Sequence, residues 1–266
     1  MTLTLTILGC GSSGGVPRVS NDWGACDPTN PKNRRRRCSI LASRHTAAAT
    51  TNVLVDTSPD LREQMLSANV QHLDALWFTH DHADHTHGLD DIRPFFLMSR
   101  KRLPTYADAP TVRTLESRFA YCFIASRDYP AIADLNQITP YELVAAQGAG
   151  GSITALPIPV RHGSIEALCF RFGDAAYMPD VNGLPGAARA ALQGLELLII
   201  DALRIRTHPS HYSLAETLEV IADLKPKRSV ITNMHVDLDY ETLRQELPQG
   251  VVPAYDGLTL DVSNAD

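Results

Sequence analysis

Apolar and polar positions alternate between two periods along the chain. Leu3–Leu8 sets Leu and Ile against Thr at every second place, the mark of a strand with one buried face. Cys38–Ala42 and Asn52–Val55 read as further strands, and Ala75–Phe78 as a short apolar one. Ser152–Val160, Leu168–Phe172 and Ala175–Met178 then follow one another as strands. Leu195–Ile200 and Ser229–Thr232 are continuous apolar runs, as expected of strands covered on both faces, and Leu258–Val262 is a last strand. Helical spacing appears in Pro59–Ala68 and again in Ser213–Leu224. The second helix opens on Ser213 with Glu216 three residues later, a capping box. Residues 88–141 mix short helical and strand-like pieces. Strands and helices alternate without a fixed short repeat or a low-complexity linker, which predicts one α/β domain over residues 1–266.

Composition narrows the class. With 44% hydrophobic residues, the chain has material for a substantial core. A net charge of −6 argues against a protein that wraps nucleic acid, so no stable nucleic-acid partner is expected. The five cysteines are scattered and form no CxxC pair, so neither a disulfide framework nor a self-contained zinc finger is indicated, which points to a reducing compartment. The nine residues before Cys10 carry no charge, unlike a lipoprotein leader, and no apolar run reaches the roughly 18–20 residues that span a bilayer. A cytoplasmic protein with no membrane partner is expected.

The chemistry concentrates in His80-Asp81-His82-Ala83-Asp84-His85. Imidazole and carboxylate together suit a hydrolytic divalent ion. Residues two apart in extended or looping backbone point the same way, so His80 and His82 can share one ion, while Asp84 and His85 can reach a second. The alternative is a solvated His-rich loop; the strand ending directly before the cluster speaks against it.

Thr79-His80-x-His82-x-Asp84-His85 after an apolar strand resembles the signature of the metallo-β-lactamase-fold hydrolases. The resemblance continues in order: Asp56 after Val53-Leu54-Val55, His162 after Ile158-Pro159-Val160, Asp180 in Tyr177-Met178-Pro179-Asp180, and His235 after Val230-Ile231-Thr232. It implies a four-layer αββα sandwich with two divalent metal ions. His80, His82 and His162 would hold one ion, and Asp84, His85 and His235 the other. Asp180 would be shared, and Asp56 would orient a ligand. Such a pair, about 3.5–4 Å apart, clamps the attacking and leaving oxygens. The N/O donor set leaves Zn²⁺ and Mn²⁺ both open.

A narrower resemblance lies in the flanks. Gly9-Cys10-Gly11-Ser12-Ser13-Gly14-Gly15-Val16-Pro17 resembles the opening of the PhnP branch of cyclic-phosphate phosphodiesterases. His211 in His211-Tyr212-Ser213-Leu214 matches that branch's general acid, although a local hydrogen bond at the start of the helix is the plain alternative. PhnP-type proteins also carry a structural zinc on clustered cysteines and a histidine three residues after the last ligand. Here those places hold only Cys26 and Leu238, so no structural zinc is expected.

Other residues stay open. Arg34–Arg37 form either a solvated face or an attraction for phosphate. Arg93, Ser58 and Asp60 are candidates to face the pocket. His87 falls outside the ligand pattern and His208, before Pro209, suits a turn; Asp201 is placed to orient a histidine. The implied function is hydrolysis of a small phosphodiester, a cyclic phosphate or nucleotide-like substrate, with His211, Asp84 and Asp56 as catalytic groups. A tRNA 3′-end endonuclease, a thioesterase or lactonase, and a non-catalytic nucleotide-binding metal scaffold are the alternatives. A homodimer is compatible with the sequence.

Overall fold

A computed structural model describes residues 2–262. The first half of the chain runs β1 (Thr2–Gly9), β2 (Ser39–His45), β3 (Thr50–Val55), α1 (Leu61–Ser67), β4 (Ala75–Trp77), α2 (Ala83–Thr86), α3 (Arg93–Ser99), β5 (Leu103–Ala107), α4 (Ala109–Phe123) and β6 (Ala133–Gln137). The second half runs β7 (Val144–Ala146), β8 (Ile153–His162), β9 (Ile165–Phe172), β10 (Ala175–Met178), α5 (Gly186–Ala191), β11 (Leu197–Asp201), α6 (Leu214–Leu224), β12 (Arg228–Thr232), α7 (Tyr240–Glu246), β13 (Val251–Pro253) and β14 (Thr259–Val262).

Strands β1–β6 together with β14 build one seven-stranded sheet, in the order β14-β1-β2-β3-β4-β5-β6, and β7–β13 build the other, in the order β13-β12-β11-β10-β9-β8-β7. Only β14 crosses back, pairing antiparallel with β1 in the register Leu3↔Val262. Leu5, Ile7, Val53, Val55 and Trp77 of the first sheet meet Phe170, Phe172, Tyr177, Ile199 and Val230 of the second in one core. Trp77 is its keystone, with ring centroids 5.4 Å from Phe170 and 5.8 Å from Phe172. The other face of the first sheet buries Leu41, Leu54 and Leu76 against Leu61 of α1 and Leu115 and Phe119 of α4. The other face of the second buries Ile158, Met178 and Leu198 against Ala188 of α5 and Val220 and Leu224 of α6. Helices, two sheets and helices again make the expected four-layer αββα sandwich.

The run Leu197–Asp201 is buried throughout, as a strand covered on both faces must be. The capping box at Ser213 and Glu216 forms, and fixes where α6 begins. Residues 88–141 resolve into α3, β5, α4 and β6, packed on the first sheet. Strands β3 and β4 are parallel, as are β10, β11 and β12. Their carboxyl ends therefore open onto one edge of the sandwich, where loops can bring polar groups together.

Candidate metal centre

Each candidate ligand leaves the end of a strand at that edge. β4 leads into Thr79 and His80, β8 ends on His162, β10 leads to Asp180, and β12 leads to Asn233 and His235. The ligand atoms of His80, His82, His162 and Asp180 lie within 4.8 Å of one another. Asp180 faces two ways. Its Oδ2 is 3.7 Å from His80 Nε2 and 3.5 Å from His162 Nε2, while its Oδ1 is 3.2 Å from His85 Nε2. Asp84 Oδ2 lies 3.5 Å from the same His85 nitrogen. His235 lines the same cleft, with its Nε2 3.2 Å from Arg18 Nη1.

The groups behind the ligands set which nitrogen each imidazole offers. Asp56, buried and in left-handed backbone (φ 65), accepts from the Thr79 N–H and hydroxyl at 2.8 Å and bonds His85 Nδ1 at 2.7 Å. That contact turns Nε2 toward Asp180. His162 donates through Nδ1 to the Ser210 carbonyl at 2.7 Å, freeing its Nε2 in the same way. Burial, reinforced by the neighbouring His85, holds the His80 imidazole well below its ordinary range. Burial alone would lower His85 too, but Asp180, Asp56 and Asp84 outweigh it and push it up.

His80 Nε2 and His85 Nε2 are buried without a hydrogen-bond partner. Buried polar atoms are rarely left so, and two orphan imidazole nitrogens aimed at one carboxylate fit a divalent ion. The cluster of His80, His82, His162 and Asp180 therefore suits a divalent ion.

A second cluster adjoins the first. His211 Nδ1 lies 2.8 Å from Asp201 Oδ2, and its Nε2 lies 3.9 Å from Asp180. Burial would depress His211, but the hydrogen bond and charge of Asp201 outweigh it and push it up to about 9. Burial in turn pushes Asp201 up to about 7. Asp201 also accepts from the Val181 N–H at 3.1 Å and the Asn233 amide at 3.1 Å, bonds that favour its ionised form.

Several sequence expectations need correction. Arg34–Arg37 are neither a solvated face nor a phosphate attractor, Arg34 alone being exposed. Arg35 is 2% exposed and its guanidinium bonds the Leu238 carbonyl at 2.7 Å, with Cys26 Sγ at 3.9 Å. The two positions that would have served a structural zinc thus meet around a buried guanidinium. Arg36 pairs with Asp256 at 2.9 Å, and Arg37 with Asp60 at 3.0 Å. Ser58 donates to Gln64, and Arg93 pairs with Asp90, so neither they nor Asp60 line the cleft. His87 is exposed, its ring against Phe119. His208 accepts at Nδ1 from the Ser210 N–H in the expected turn, and it also lines the cleft.

The sequence reading missed Asn233, Arg18 and Arg204. Asn233 takes φ 60, a conformation asparagine tolerates, and its amide reaches Asp180, Asp201 and His211. Arg18 and Arg204 line the cleft, which has a volume of about 300 Å³. A larger groove of about 650 Å³ lies on the outer face of the first sheet, between Thr4, Ser43 and α1, but none of the candidate ligands lines it.

Comparison with known proteins adds context. Residues 51–234 match the family model described as a β-lactamase superfamily domain. A crystal structure of a new diphosphatase from the PhnP family is 36% identical, with a TM-score of 0.88 over 99% of both chains. Zn²⁺-bound PqqB from Methylobacterium extorquens is 19% identical, with a TM-score of 0.75 over 97% of this chain and 100% of that one. An octanoyltransferase of Porphyromonas gingivalis is 30% identical over 260 residues, which are 95% of this chain and 50% of that protein. The chain thus spans about half the length of that curated relative.

Proposed function

Since this chain belongs to the β-lactamase superfamily and is a PhnP-like member of its metallo-β-lactamase fold, we propose that it is a dinuclear metal-dependent phosphodiesterase acting on a small phosphate-bearing substrate. The observation that carries the reading is Asp180, one carboxylate with an oxygen toward each of two imidazole groups. His80, His82 and His162 would hold one divalent ion, Asp84, His85 and His235 the other, and Asp180 both, with Zn²⁺ and Mn²⁺ the candidates. Bound there, the ions would supply Lewis acidity toward the phosphoryl oxygens.

The chain's own groups do the rest. Asp56 keeps His85 in one tautomer and one orientation. Asp201 accepts from the His211 Nδ1–H behind the ring and leaves its Nε2 facing the cleft. A protonated Nε2 there can give its proton to the oxygen that leaves phosphorus. The cleft is polar: among its lining residues Leu203 is the single large apolar side chain and none is Phe, Tyr or Trp. Such a lining offers nothing to bury an octanoyl chain, so the activity named for the P. gingivalis relative is not proposed for this chain. It equally disfavours an acyl thioester.

Turnover of bis(p-nitrophenyl) phosphate with Mn²⁺ or Zn²⁺ tests the reading. No hydrolysis of that ester or of 2′,3′-cyclic nucleotides under either ion would refute it.

A further inference from the structure

Four of the five candidate imidazole ligands are steered by a group behind the ring. His80 Nδ1 lies 3.0 Å from Thr79 Oγ1, His85 Nδ1 2.7 Å from Asp56, His162 Nδ1 2.7 Å from the Ser210 carbonyl, and His235 Nδ1 3.3 Å from Asp237. His82 is the exception. It is exposed, and its side-chain hydrogen bond and ring contacts are with other candidate ligands. Its Nδ1 is 3.1 Å from His162 Nε2, and its ring meets those of His80 and His162 edge to face. The place of His82 is therefore set by the backbone that carries it.

That backbone is held from α4, a helix that carries no candidate ligand. Asp81, between His80 and His82, is gripped at two points. Its Oδ2 accepts from the Thr114 hydroxyl at 2.7 Å, and its carbonyl accepts from Arg118 Nη1 at 2.8 Å. Thr114 and Arg118 are four residues apart and so project from one face of the helix. The Asp81 carbonyl belongs to the planar peptide that leads into His82, so a bond to it fixes the angle at which His82 leaves the loop. The next residue of the helix, Phe119, sets its ring 5.5 Å from that of His87, just past the last ligand of the motif. Helical geometry breaks at Phe119 (φ −129, ψ 32), whose side chain is buried against the first sheet. One helix, anchored in the core, thus holds the ligand loop before His82 and after His85.

Resting on the two-ion reading above, we propose that Thr114 and Arg118 are positioning residues that hold His82 as a metal ligand through Asp81, and so set the affinity of one of the two ions. They touch neither metal nor substrate. The groups assigned to the other ion are steered from elsewhere, His85 by Asp56 and His235 by Asp237. Loss of either bond to Asp81 should therefore be felt unequally by the two ions. Thr114→Val removes one hydrogen bond and keeps the branched shape and helix preference of the side chain. Asp81 is half-buried, so water can replace the lost donor, and the effect falls on the placement of the loop and not on the fold.

Titration with Co²⁺, followed by calorimetry and by the visible bands of the bound ion, tests this. The wild type should take up two ions. Thr114→Val and Arg118→Met should each weaken the binding of one ion about 10- to 100-fold, the loss typical when a group behind a ligand is removed, and leave the other as it was. Thr114→Ser, which restores the hydroxyl, should recover the wild-type affinity. Unchanged affinity for both ions, or an equal loss for both, would overturn the proposal. A wild type that takes up fewer than two ions would sink the two-ion reading instead. Amide exchange in the metal-free protein then decides the role of α4. The His85 N–H, which donates to the His82 carbonyl at 3.1 Å, should exchange faster in Thr114→Val and Arg118→Met than in the wild type. Equal exchange rates would overturn that role.

Discussion

Arg35 and His211 both sit in confined places, and each is tuned by what surrounds it. The Arg35 guanidinium donates to the carbonyls of Leu238 and His235, at 2.7 and 3.4 Å, and to Asn33 Oδ1 at 3.2 Å. Removing a buried charge from such acceptors strands them in the interior. Arg35→Met should therefore cost about 3 kcal/mol in urea unfolding, and it should also loosen the turn that presents His235. His211 differs in that its partner fixes a proton rather than a loop. His211→Ala should slow kcat about 100-fold or more on an alkyl phosphodiester, whose leaving oxygen needs a proton. The loss should be much smaller on a p-nitrophenyl ester, whose leaving group does not. Equal losses on the two esters would remove His211 from the acid role.

At the scale of elements, the glycine loop shows why some of the site was legible and some was not. Gly9 and Gly11 lie against the Arg35–Arg37 segment, where a Cβ on Gly9 would come 2.0 Å from the Arg37 carbonyl. The Cys10 carbonyl then accepts from Met234, tying the loop to the segment that carries His235. The strands that lead to the candidate ligands could be read because burial marks the local sequence: β4 and β10 are buried at every position, and β3 and β12 at all but the first. The role of the arginine run could not be read. Arg35, Arg36 and Arg37 find their partners 203, 220 and 23 residues away, and nothing local records those meetings. Asn233 and Arg18 escaped for the same reason, since each matters through the neighbours the fold brings to it. Helix α7 adds a testable case. Its N-cap Asp239 also accepts from Asp27 N–H and from the Asn33 amide. Burial alone would raise Asp239, but the Thr242 N–H and these partners outweigh it and bring it down to about 2. Its ordinary value is about 3.9, so its stabilisation should be complete above that pH and vanish as pH falls toward 2. Asp239→Asn should flatten the fall in stability over that window, as read by urea midpoints at pH 2–5.

At the scale of the molecule, the two sheets share one core and one site. Trp77 joins the first sheet to Phe170 and Phe172 of the second. Trp77→Ala should cost about 3–5 kcal/mol, and it should lower metal affinity as well, because the strand that carries Trp77 leads directly to His80. Chelation is a separate test of the centre. EDTA should abolish turnover and lower the melting temperature, and added Mn²⁺ or Zn²⁺ should restore both. Far-ultraviolet circular dichroism should stay unchanged, since both sheets are held by the apolar core. No described helix is long and apolar enough to cross a membrane.

The return of β14 onto β1 decides where another protein could be attached. Strand β1 starts at Thr2 and reaches the cleft side at Gly9, and β14 runs antiparallel to it, from Thr259 to Val262. Residues 2 and 262 therefore emerge side by side on the face opposite the cleft. A domain appended at either point would hang clear of the cleft mouth. This geometry would let the hydrolase unit sit as one half of a longer polypeptide, as its match to half of the P. gingivalis relative already illustrates.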